Sequence, residues 1–221
     1  MKKSIIITAL TLLCLANMKA QESVTPPVER LTQDNYLSNA AKQLLDKQRF
    51  LTEEYAQGGV FLMGDATKYI TLVKYDAFKD DLYVKDKGNE IIVTKGNVDR
   101  FFFKDEKTQK DRIFRFIPKE FIYAEIIIET PQLSAYQVIK RTPPIKMISN
   151  QSGYHSQQGY DEKTEILWLA KGDKFLYSNK KKSILKFLSE NFPEKKETIK
   201  KNIDKYKFSH QEDIHNFIKG I

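Results

Sequence analysis

The stretch "KYDAFKDDLYVKDKGNEIIV", residues 74–93, sets Asp76, Asp80, Asp81, Asp86 and Glu90 among aromatic and β-branched residues. Carboxylates so closely spaced could hold a calcium ion, work as an acid–base pair, or join strands. A calcium loop starting at Asp76 needs oxygen ligands at its third and fifth positions, Gly at the sixth and a bidentate Glu at the twelfth. Those positions are Phe78, Asp80, Asp81 and Lys87, so three of the four fail. A start at Asp86 puts Gly88 where a ligand is needed.

Adjacent acids on a strand point to opposite faces, and in a turn both meet water and keep ordinary acidity, which suits no general acid at neutral pH. Asp80 and Asp81 are therefore expected to be solvated turn acids joining two strands. An envelope hydrolase built on Asp76, Asp80 or Asp81 stays as the minor alternative. His210 and His215 are five residues apart, about 140° around a helix, so they cannot share a metal as a pair four apart could. His155 stands alone. No nucleophile elbow, Walker loop, dinucleotide turn or S-x-x-K motif occurs. The reading assigns no catalytic, cofactor or metal residues.

The chain has 14 Phe, 11 Tyr and one Trp. The runs "FFF" (101–103) and "FIY" (121–123) could form a carbohydrate or lipid platform; such runs are more often core with one exposed member. Formal charge is +8, from 37 Lys and Arg against 29 Asp and Glu, yet only six residues are Arg. Planar phosphate recognition favours Arg, so nucleic-acid binding is not expected. The run Lys180, Lys181, Lys182, with Lys195, Lys196, Lys200 and Lys201 after it, could lean weakly on an anionic surface, the alternative being a solvated helix face.

Residues 1–20, "MKKSIIITALTLLCLANMKA", read as a secretory signal: a basic start, an apolar run and Ala20 before Gln21. Cys14 lies inside the apolar run after "TLL", which is not a lipidation context. It is also the only Cys, so cleavage would leave a mature chain from Gln21 without disulfides or a thiol nucleophile. No later run is apolar enough to span a membrane.

These residues need elements to position them. "QESVTPPVERLT" (21–32) reads as a leader arm, and Asp34 caps an expected helix over 35–48 with Leu37, Ala41, Leu44, Leu45 and Gln48 on one face. The leader and helix span 21–49 and a β domain 50–178. From Phe50 the period becomes two, in ten runs: "GVFLM", "YITLVKY", "LYVKD", "EIIVT", "VDRFFFK", "RIFRFI", "AEIIIE", "AYQVIKR", "EILWLA" and "KFLYS". They predict an α+β, mainly β chain: an antiparallel sandwich or partly open barrel of about 8–10 strands. Gly64-Asp65, Lys87-Gly88-Asn89 and Gly172-Asp173 are the turn candidates.

Residues 142–164, rich in Pro, Ser, Gln and Gly, read as a long loop that is either disordered or a binding loop using Tyr154, His155 and Tyr160. The segment 179–221 predicts a helical tail. Its apolar positions are Ile184, Leu185, Phe187 and Leu188, then Ile199, Ile203 and Tyr206, then Ile214, Phe217, Ile218 and Ile221. Ser209 and Glu212 offer a capping box.

Segment 49–103 resembles a family of exported proteins of Bacteroidetes-type bacteria. The resemblance rests on Phe50-Leu51, Gly59-Val60 opening a strand, Tyr69 or Tyr75 closing the next, a short acidic turn and "LYVK". It extends to "LWLAKGDKFLYSNKKKSILKFL", a Lys-rich helix and a capped last helix. It implies an exported, mostly β protein with a helical end and transfers no catalytic residue. The expected function is a non-catalytic envelope protein, periplasmic or outer-surface, presenting a binding or assembly surface to a protein partner. A small-ligand binder for a lipid or sugar is the alternative.

Overall fold

The computed structural model describes residues 39–143 and 159–221. The chain divides at Gln43/Leu44, and the unit from Leu44 to Ile221 carries the sheet and the helices after it. The expected signal segment and leader arm lie outside the described residues.

The chain is mainly β. All ten expected runs are strands: β1 (Ala56–Leu62), β2 (Lys68–Asp76), β3 (Asp81–Asp86), β4 (Asn89–Val93), β5 (Val98–Lys104), β6 (Asp111–Ile117), β7 (Ile122–Glu129), β8 (Leu133–Thr142), β9 (Asp161–Ala170) and β10 (Lys174–Tyr177). They form one antiparallel sheet in the order β10-β9-β8-β7-β6-β5-β1-β2-β3-β4. Five of the seven named turn residues take positive φ, Gly64 76°, Lys87 48°, Gly88 87°, Gly172 80° and Asp173 59°, while Asp65 and Asn89 do not. Glycine adopts that region freely, and Asp tolerates it better than most residues.

A short connection forces the sheet to curl. In a flat sheet β4 and β5 would be four strand spacings apart, about 19 Å. Only residues 94–97 join them, and Val93 to Val98 can span at most about 17 Å. The stagger of β2 supplies the bend: residues 68–71 pair with β1 and not β3, 74–76 with β3 and not β1, and both strands share only 72 and 73. The β3–β4 hairpin thus folds back over the sheet into a partly open barrel.

Aromatic rings fill the curl. Phe101 and Phe114 stack with centroids 4.8 Å apart, Tyr75 lies 5.3 Å from each, and Tyr123 meets Phe101 edge-on at 5.2 Å. Phe103 is also buried, whereas Phe102 between them faces outward, half-buried. The "FFF" run is therefore core with one outward member, as strand alternation requires. On the same side of the sheet, Arg112 donates two bonds to Glu125, at 2.8 and 2.7 Å.

The C-terminal elements cover β7–β9. They are α2 (Lys181–Asn191), α3 (Lys196–Asn202) and α4 (Gln211–Lys219), joined by short 3₁₀ turns. Ile184, Phe187, Leu188, Ile199, Ile203, Phe208, Ile214, Phe217 and Ile218 are buried against Trp168, Ala135 and Ile166. Trp168 is fully buried and its Nε1 donates to the Ser178 carbonyl at 3.0 Å.

Three expectations need correction. The N-terminal helix α1 is described over Asn39–Lys47; residues 35–38 are outside the described set, and Leu44, expected on its apolar face, is exposed. The Ser209–Glu212 capping box does not form: α4 starts after His210 with no side-chain cap, and the Lys207 amide is met by Asp213 instead. The loop expected over 142–164 is shorter, because Thr142 ends β8 and Asp161–Thr164 already pair with β8 from Ile139 to Thr142. Charged residues such as Glu162 and Lys163 mask strand periodicity at the exposed end of a hairpin. Among the described residues no helix is long and apolar enough to cross a membrane.

Candidate functional site

The acid-rich turn between β2 and β3 is a structural hub. Asp76 ends β2, is fully buried, and lies 2.7 Å from Arg49 Nε. Its other oxygen accepts from the Phe78 and Lys79 amides at 3.0 Å each, closing an Asx turn. Asp80 follows with φ 59°. Its Oδ1 accepts from the Tyr75 hydroxyl at 2.5 Å and the Tyr123 amide at 3.2 Å, and Lys95 Nζ is 2.7 Å from Oδ2.

The expectation that Asp80 and Asp81 are solvated turn acids is therefore corrected for Asp80, which side chains drawn from distant segments cover, while Asp81 is half-buried at the start of β3; Asp76, at the end of β2, is buried as well. Burial raises the Asp80 carboxyl above its usual range, more than Lys95, Tyr75 and the Tyr123 amide lower it. With its oxygens held by these donors, Asp80 is a structural acceptor.

The same turn wedges apart two strands. β7 and β8 are registered from Glu125↔Gln137 to Glu129↔Ser134; before Glu125 and after Gln137 they diverge into a fork. The turn replaces the missing ladder partners on both arms, since Asp80 accepts from the Tyr123 amide and the Ala77 carbonyl accepts from the Arg141 amide at 3.0 Å. Arg141 also donates to the carbonyls of Gln48 (2.7 Å) and Phe50, and to Glu162 at 2.7 and 3.0 Å. Within the fork is a cavity of about 210 Å³, walled by Ala77, Ile122, Val138 and Ile139 and bounded by Tyr123 and Asp80. Tyr123 is 2% exposed and its hydroxyl has no hydrogen-bond partner among the described residues. Burial first, and the Asp80 charge second, push that hydroxyl far above its usual range, so it stays protonated.

A second feature lies on the outer face. The register aligns Ile70, Gly59, Phe102 and Ile113 across β2, β1, β5 and β6. Ile70 is 72% exposed and Ile113 41%. Cations flank this row over aromatic rings: Lys68 is 4.1 Å from the Phe102 centroid and Arg100 4.9 Å from Phe61. Farther along the face, Lys74 lies 4.3 Å from Phe50 and Lys85 4.6 Å from Tyr55.

No protein-family model, curated protein or solved structure matches this chain. The site therefore stands on its own geometry.

Of the residues singled out as contacts, Tyr154 and His155 lie outside the described residues. Tyr160 is half-buried; its ring meets Phe78 edge-on at 5.7 Å and its amide donates to Gln48 Oε1 at 3.1 Å. Lys180 and Lys182 are exposed at the start of α2, while Lys181 donates to the Asp204 carbonyl at 2.9 Å. Tyr160 reaches the fork through Phe78, which lines its cavity, whereas the lysines at the start of α2 lie elsewhere. Arg49, Lys95 and Arg141 were not legible as site residues in the sequence, and Tyr123 stood out only as part of the "FIY" run. Among the first three, Lys95 alone left a local trace, standing before Gly96 with its φ of 89°.

Proposed function

We propose that this is an exported, non-catalytic protein of a Gram-negative envelope, periplasmic or outer-surface, that presents its outer sheet face to a protein partner. The observation that carries the reading is the uncovered apolar row Ile70, Gly59, Phe102, Ile113, bordered by Lys68 and Arg100. Ile70 and Ile113, left in water at the two ends of a row that holds the half-buried Phe102 and the side-chain-free Gly59, form the kind of apolar patch that marks binding surfaces. Support for export is the sequence of residues 1–20 and the resemblance described above. Weak contact of Lys180 and Lys182 with an anionic surface would add to this binding.

The test is crosslinking in native envelopes with the wild-type protein and the variants Ile70→Glu and Ile113→Glu. The expected result is one crosslinked partner that both substitutions remove while the circular dichroism spectrum and melting curve stay unchanged. An identical crosslinking pattern from folded variants overturns the reading.

A further inference from the structure

The fork between β7 and β8 has three properties that its role in the fold does not use. Its cavity of about 210 Å³ is walled chiefly by apolar side chains. An engineered apolar cavity of about 150 Å³ holds benzene, so this one is the size of a single-ring molecule or a short chain.

Next, the Tyr123 hydroxyl has no partner among the described residues although it is buried. Buried hydroxyls are nearly always hydrogen-bonded, so this one is available to a polar group arriving in the cavity.

The third property lies at the rim. Lys140 and Lys163 stand directly opposite each other on β8 and β9, and like charges so placed repel. Neither has an ion-pair partner among the described residues. They border a second hollow of about 370 Å³ that shares Val138, Lys140 and Thr142 with the first, and Glu165 is the acid on its border. Two lysines against one glutamate leave this rim cationic.

We propose that the fork is a binding site for a small hydroxylated monocarboxylate. Its apolar body lies against Ile122, Val138 and Ile139, its hydroxyl meets Tyr123, and its carboxylate sits at Lys140 and Lys163. The site is independent of the outer sheet face, which lies on other residues.

The probes are 4-hydroxyphenylacetate and phenylacetate, titrated calorimetrically into the purified protein and three variants, Tyr123→Phe, Lys140→Gln and Lys163→Gln. Each variant is first shown to melt as the wild type does. The wild-type protein is expected to bind the hydroxylated acid more tightly. Tyr123→Phe should abolish that preference while keeping binding of phenylacetate, and each Lys→Gln change should weaken both acids about fivefold to tenfold, the loss of one charge contact. Absence of binding by the folded wild-type protein, or affinities unmoved by all three substitutions, overturns the proposal. So does a crystal soaked in 4-hydroxyphenylacetate that shows only a water on Tyr123.

Discussion

Asp80 ties the turn to β2, β7 and the β4–β5 connection through one carboxylate, and its titration is therefore readable in stability. Its folded pKa is raised, so the folded state holds its proton to higher pH than the unfolded chain, where Asp titrates near about 3.9. The associated stability is fully present below that value and is lost as pH rises through the folded pKa. Urea denaturation from about pH 4 upward should show a stability decline in the wild-type protein that is missing in Asp80→Asn; parallel curves would refute this. Asp76 makes the complementary case. Asp76→Ala leaves Arg49, itself largely buried, without its partner, which should cost about 3 kcal/mol. A denaturation midpoint within error of wild type would show that Arg49 finds another acceptor. The acids were legible in the sequence as turn residues, and the Asx role of Asp76 follows from its type. Their partners were not, because Arg49, Lys95 and Tyr123 lie 27, 15 and 43 residues from the acids they meet, and no local pattern links positions that far apart.

At the scale of elements, β1 and β5 approach so closely that Gly58 admits no side chain. A Cβ there would fall 2.0 Å from the Phe102 carbonyl oxygen and 2.9 Å from the Phe103 Cα, both backbone atoms that cannot turn aside. Gly58→Ala should therefore destabilise by at least the 1–3 kcal/mol typical of overpacking, about 3 kcal/mol here, read as a shift in the chemical denaturation midpoint. A neutral result would mean that the strands separate without penalty. Strand existence was legible because alternating burial writes itself into the chain, as in Phe101, Phe102 and Phe103. Strand order was not: β5 returns to pair with β1, a neighbour no periodicity encodes. The capping box at Ser209 failed for a related reason. α4 takes its angle from Phe217 packing on Trp168 and Phe208, and its first turn begins where that packing puts it.

For the whole molecule, the helical tail is half of a core and not an appendage. Ten of its apolar residues, Phe192 included, are buried with Trp168, each worth about 1.5–3 kcal/mol when removed from water. A chain ending at Tyr177 should lose cooperative unfolding and shift its tryptophan emission to the red, since Trp168 is fully buried in the intact protein. Wild-type emission with a cooperative melt in the truncated chain would contradict this. Such a truncation therefore reports on folding before it reports on any partner. By itself the sequence determined the mainly β class, the ten strands, the positive-φ turns and the apolar faces of the tail, all properties of neighbours within one turn or one strand. Tertiary structure alone decided the curl of the sheet, the burial of Asp76 and Asp80, the fork between β7 and β8 and the burial of the Tyr123 hydroxyl. Each of those depends on which distant segments meet, and that is set by how the chain divides its apolar surface among its buried clusters.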